Sequence, residues 1–172
     1  MLGLPPEDDA MTALRSHRHV AWIAAIALLL AGCGTGGPVR RISEPAASIQ
    51  QLTVRADGSW EVQVRLNNFS SVPMRFTATN IQVAFDNGAA ATLQAQPQIA
   101  IGPESADVVT TMVSPLPEGR ARIATALADG RSLNYTLGGT VDAGPDDGKS
   151  RTYKIKLTSA LTPVPGLPGV LR

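Results

Sequence analysis

Few side chains in this chain of 172 residues have the chemistry of catalysis or metal binding. Cys33, in "LLLAGCGTGG", is the single cysteine. A lone thiol can be a nucleophile, a metal ligand, a spare group or a point of covalent attachment. The two histidines, His17 and His19, both precede it. After Cys33, the densest carboxylates are Asp142, Asp146 and Asp147 in "DAGPDDGKS". They miss the alternate positions of an EF-hand loop, and no Glu closes the run. The "GKS" triplet at Gly148 lacks the glycine five positions earlier that a phosphate-binding loop needs. That position is Ala143, Gly144 is one residue off, and no helical pattern follows Lys149. The segment therefore reads as a solvated hairpin turn.

Other signals are weaker still. Asn68-Phe69-Ser70 and Asn134-Tyr135-Thr136 match the glycosylation pattern, which short sequences meet by chance. Trp60 opens an alternating run after a turn and reads as a core or edge aromatic. Lys149, Arg151, Lys154 and Lys156 give a basic strand that reads as a solvated face or an edge guarded against aggregation. The net charge is +1, so nothing favours a nucleic acid or another polyanion as partner. Aromatics are 4% of residues, which speaks against base-stacking platforms. No cofactor is expected.

Cys33 gains meaning from what stands before it. Arg15, His17, Arg18 and His19 form a basic start, Val20 to Leu30 an unbroken apolar run, and Leu30-Ala31-Gly32 a small-residue close. A charged region, a short apolar region and a small-residue cleavage site make a secretory signal peptide. The run has 11 residues, well short of the about 20 that span a bilayer. Glu7, Asp8 and Asp9 put acid where signal peptides carry base, so Met11 is the better start.

Leu30-Ala31-Gly32-Cys33 also resembles the bacterial lipobox. That resemblance implies signal peptidase cleavage before Cys33 and a diacylglycerol on its sulfur, with acyl chains that partner the protein with a membrane. Two or three chains hold a protein on a bilayer where one does not, at about 0.8 kcal/mol per buried CH2. Sorting rules for such proteins, with Gly34 rather than Asp after the cysteine, imply the outer membrane facing the periplasm. The expected organisation is a signal peptide over 1–32, a flexible Gly/Pro tether over 33–47, a folded domain over 48–160 and a Pro/Gly-rich end over 161–172, extended or disordered. The mature chain then has no His and no free Cys, which removes zinc sites of that type, Ser-His-Asp and Cys-His catalysis, and disulfides.

Period-two patterning fills the domain. Val62, Val64 and Leu66 alternate with Glu61, Gln63 and Arg65. Met74, Phe76 and Ala78 share a face, and Ile81, Val83 and Phe85 follow with shifted parity, which places a bulge or bend near Thr79-Asn80. "ADVVTTMV", "RSLNYTL" and "RTYKIKL" continue the rhythm. "ARIATALA" reads as another strand, because Asp129-Gly130 after it suits a hairpin. Asp57-Gly58, Asn87-Gly88 and Asp147-Gly148 mark further turns. The fold class expected is all-β: an immunoglobulin- or fibronectin-like antiparallel sandwich of about seven strands with no helix.

"VQVRLNNFSSVPMRFTATNIQVAFDNG" and "AQPQIAIGPESADVVTTMVSP" resemble the late embryogenesis abundant type 2 domain, also called the water stress and hypersensitive response domain. Asn67, Asn68 and Pro73 lie in the polar strand break of that pattern; Phe69 and Ser70 depart from it, standing where the family often has Pro and a second Asn. The resemblance covers roughly residues 48 to 160 and implies the same sandwich, a stress or desiccation role and no catalytic residues. Asn67 and Asn68 can bond backbone at a strand end, and Pro73 blocks ladder donation there. The expected function is a non-catalytic, lipid-anchored envelope protein that binds an envelope partner or acts as a scaffold. The alternative is a carrier that holds a lipid or another apolar molecule between its sheets.

Overall fold

The computed structural model describes residues 39–172. In β2 (Trp60–Asn67), Trp60, Val62, Val64 and Leu66 are buried and the residues between them are not. β1 (Ala46–Val54) pairs antiparallel with β2, from Ala46 opposite Asn67 to Val54 opposite Trp60. The Asp57-Gly58 turn joins them, with Gly58 at φ 80°, a value that glycine adopts freely.

β3 (Met74–Phe85) is the central strand of a second sheet, with β4 (Gly88–Ala95) and then β5 (Ile99–Ile101) sharing one of its edges. The parity shift is real but falls earlier than the pattern suggests. Thr77 is the extra residue, since Phe76 faces Ala143 and Ala78 faces Asp142. One bulged strand results, with Thr79 rather than Ala78 buried. The hairpin to β4 also starts one residue early. Asp86 and Asn87 take φ 46° and 68°, while Phe85 faces Gly88. Positive φ at both central residues is the requirement of a type I′ turn.

β6 (Ala106–Val113) joins the first sheet beside β2. Next comes α1 (Pro117–Asp129), where a strand was expected from "ARIATALA". Alanine and arginine favour a helix, Pro117 stands at its first turn, and Gly119, Ile123 and Ala126 are buried along one face. Asp129-Gly130 is the helix stop: Gly130 takes φ 61°, and Arg131 N–H donates to Ala126 O at 3.0 Å. A left-handed glycine closes helices as readily as it turns hairpins. Gly119 permits the docking, since a Cβ there would lie 2.9 Å from Ala90.

β7 (Leu133–Pro145) and β8 (Arg151–Leu161) complete the second sheet, ordered β4-β3-β7-β8. The C-terminal stretch is not a loose end. After Leu161 it turns through Gly166 and Gly169, at φ 79° and 76°. It returns as β9 (Val170–Leu171), pairing with Leu52 and Thr53 of β1. Pro165 and Pro168 sit in the turn, where no ladder donor is needed, and Pro163 forms an isolated bridge with Leu171. Leu171 is fully buried, and Arg172 Nε donates to Gln51 Oε1 at 2.9 Å.

The first sheet is thus β6-β2-β1-β9, and the two antiparallel sheets form a sandwich. Leu52, Trp60, Leu66, Phe76, Ile81, Phe85, Tyr135 and Leu137 fill the space between them, all almost fully buried. Trp60 is a core residue, its ring centroid 6.0 Å from that of Phe85 at 52°. Tyr135 Oη accepts a hydrogen bond from Ile49 N–H at 3.2 Å, tying one sheet to the other.

Candidate functional site

The strand break between β2 and β3 is the most heavily bonded polar region at one end of the sandwich. Asn68 is buried although its side chain is polar, and buried amides must be satisfied. Its Nδ2 donates to Val72 O (2.9 Å), Ile101 O (3.1 Å) and Gly102 O (2.8 Å). Its Oδ1 accepts from Ser70 N–H at 2.9 Å, an Asx turn. Its backbone N–H donates to Ser105 O at 2.8 Å. One amide therefore joins three chain segments: the break, the end of β5 and the approach to β6. This is the backbone bonding expected of Asn68. Asn67 does otherwise: its Oδ1 accepts from Arg65 Nε at 3.3 Å. Pro73 stands just before the first ladder residue of β3, and its carbonyl accepts from Asp146 N–H at 3.3 Å.

The Asx turn also explains the Asn68-Phe69-Ser70 sequence match. Its asparagine nitrogen is enclosed by three carbonyls in the folded domain, so the pattern marks a turn and not an attachment site.

Ser70, Ser71 and Arg41 complete the hub, a part that the sequence patterns assigned to none of them. Ser70 is fully buried, and its Oγ accepts from Ser43 N–H at 3.0 Å. Ser70 O accepts from Glu104 N–H at 3.0 Å. Ser71 and Arg41 exchange bonds: Arg41 N–H donates to Ser71 Oγ at 2.8 Å, and Ser71 N–H to Arg41 O at 3.0 Å. The Arg41 guanidinium bonds Phe69 O (3.3 Å) and Glu104 Oε1 (2.9 Å). Residues 41–43, expected within a free tether, are thus laid along the break. The only hint was the hydroxyl pair Ser70-Ser71 beside two asparagines, a composition that favours local backbone bonding.

Asp142, Asp146 and Asp147 do not converge. Asp142 Oδ1 accepts from Thr152 Oγ1 at 2.6 Å, and Asp146 Oδ1 pairs with Arg75 at 2.7 Å. Asp147 pairs with Arg40. The Arg40 hydrogen bond, seconded by its charge, holds the Asp147 carboxyl below its ordinary value of 3.8 and raises Arg40 in turn. Gly148 N–H donates to Pro145 O at 2.9 Å, so the segment is the hairpin turn between β7 and β8. Among the described residues no group of three or more His, Cys, Asp and Glu side chains gathers as for a metal.

Among the described residues no helix is long and apolar enough to cross a membrane. Leu30, Ala31, Gly32 and Cys33 lie outside the described residues.

No family model matches the chain, and no curated protein does. Several solved structures are similar. A solution structure of a protein from Arabidopsis Thaliana is 9% identical, with 73% of this chain and 81% of that one covered and a TM-score of 0.45. A crystal structure from Bordetella pertussis, of a protein provisionally named ApaA, is 13% identical over 76% of this chain and 100% of that one, TM-score 0.46. A solution structure of a protein provisionally described as late embryogenesis abundant is 12% identical, covering 98% and 95%, TM-score 0.43. All three scores fall below 0.5, and the fold assignment rests on the strand pairing described above.

Proposed function

We propose that this chain is a lipid-anchored, non-catalytic protein of a bacterial envelope whose sandwich acts as a binding or scaffold domain in stress or desiccation. The observation that carries the anchor is Leu30-Ala31-Gly32-Cys33 at the close of a short apolar run behind a basic start. Gly34 after the cysteine supports the outer membrane, facing the periplasm. The stress role rests on the strand-break pattern around Asn67, Asn68 and Pro73. The filled space between the sheets favours this reading over a carrier with an apolar interior.

The test is Cys33→Ala in cells fed a labelled fatty acid. The parent chain takes up label and fractionates with membranes. The variant takes up none and moves to the soluble fraction. A variant that stays membrane-bound and was never acylated in the parent would sink the proposal.

A further inference from the structure

The geometry points to the strand-break end of the sandwich as a bilayer-facing surface, with Phe69 entering the headgroup region of the membrane. This rests on the lipid-anchor reading above.

Covalent reach selects this end. Cys33 and Arg40 are seven residues apart, and at roughly 3.3–3.6 Å per residue they stand no more than about 25 Å from one another. The reciprocal Arg41–Ser71 bonds fix the start of the domain to the break, and the Arg40 ion pair with Asp147 ties it to the β7–β8 turn at the same end. The opposite end, with α1 and the β9 turn, lies a full strand further away, about 26 Å for the eight residues of β2. An anchored domain therefore presents the break to the bilayer.

The residues there suit that position. Phe69 is 51% exposed and Ile42 40%. Phe69 is held outward by its neighbours, since Asn68 and Ser70 on either side are both buried in the hub. The core makes no use of this ring. Charge does not oppose the approach either. Asp146, Asp147 and Glu104 are each in an ion pair with Arg75, Arg40 and Arg41. Lys149 and Arg151, in the same turn region, have no ion pair among the described residues, and neither have Glu44 and Asp107. An exposed phenyl ring binds a membrane weakly alone, but beside an acyl anchor the contact becomes intramolecular and its effective concentration high.

The test places a reporter at the ring. Phe69→Trp is introduced into the full acylated chain, reconstituted in phosphatidylcholine–phosphatidylglycerol vesicles with brominated acyl chains. The parent supplies the background from Trp60, the one tryptophan after Cys33. The added emission shifts to the blue and is largely lost to the brominated lipid. Met112→Trp, at an equally exposed site (53%) paired with Glu61 towards the other end of β6, keeps its emission. If Phe69→Trp stays bright while the protein floats with the vesicles, the bilayer-facing surface is refuted and the anchor stands. If the protein does not float, the anchor reading fails and takes this inference with it.

Discussion

Asn68 offers the sharpest test of how the break is held. In Asn68→Ala the carbonyls of Val72, Ile101 and Gly102 lose a donor, and Ser70 N–H loses its acceptor. The amide has two hydrogens for three carbonyls, so about two full donated bonds disappear, plus one accepted bond. At about 1 kcal/mol each, with a further penalty for buried groups left unmet, the loss is about 3–4 kcal/mol. A domain of this size melts some 10 °C lower for such a loss. Asn68→Asp refines the point. It keeps the acceptor for Ser70 but turns a carboxylate towards three carbonyls. That carboxyl's pKa is raised in the folded state, so the native form binds more protons than the unfolded one. Stability is then fully retained only below the ordinary Asp value of about 4 and falls as pH rises through the raised one. Urea unfolding followed by far-ultraviolet circular dichroism, at several pH values, measures both variants. Asn68→Ala within 1 kcal/mol of the parent, or Asn68→Asp with no pH trend, would refute the reasoning that the amide is the joint.

Further substitutions probe the rest of the frame. Gly139→Ala puts a Cβ 2.2 Å from Asn80 O at φ 150° and should destabilise by about 3 kcal/mol or more, whereas Gly138→Ala, with nothing within 4 Å, should melt within a few degrees of the parent. Deleting Val170–Arg172 removes the buried Leu171 and the pairing with β1; a loss of about 2–4 kcal/mol in urea is expected, and an unchanged midpoint would show that β9 is dispensable. Because Arg40 depresses Asp147 below 3.8, the pairing is present above that value and is released as pH falls through the lowered one. Nuclear magnetic resonance signals of Arg40 should move in that acid range, and Asp147→Asn should abolish the transition.

The strands were legible because burial on one face writes itself into every second residue. Val62, Val64 and Leu66, or Leu133, Tyr135 and Leu137, are buried as their spacing requires. The helix was hidden by Asp129-Gly130, which serves two purposes through one backbone conformation. Only the docking of Gly119 on Ala90, a long-range contact, decides between them. The bulge was visible as a change of parity, but parity alone does not say that Thr77 is the inserted residue. The break was legible as a polar interruption at Asn68. Its partners were not: Ser43 is 27 residues from Ser70, and Arg41 is 63 from Glu104. The three closing prolines read as a stop, whereas the stretch that holds them turns and carries Leu171 back into the core, with Pro163 bridged to Leu171.

The route of β1 through the first sheet has a mechanical consequence. The chain enters β1 at the break, and β9 pairs with its other half, so a pull on the chain before β1, drawn away from the break end, runs parallel to the strand. The β1–β2 bonds, eight residue pairs from Ala46 to Val54, stand perpendicular to that axis. They are loaded in shear and resist together, instead of parting one after another as a zipper does. A sandwich built this way should yield at high force when stretched between the residues before β1 and its far end, and should let go far more readily when peeled from β8.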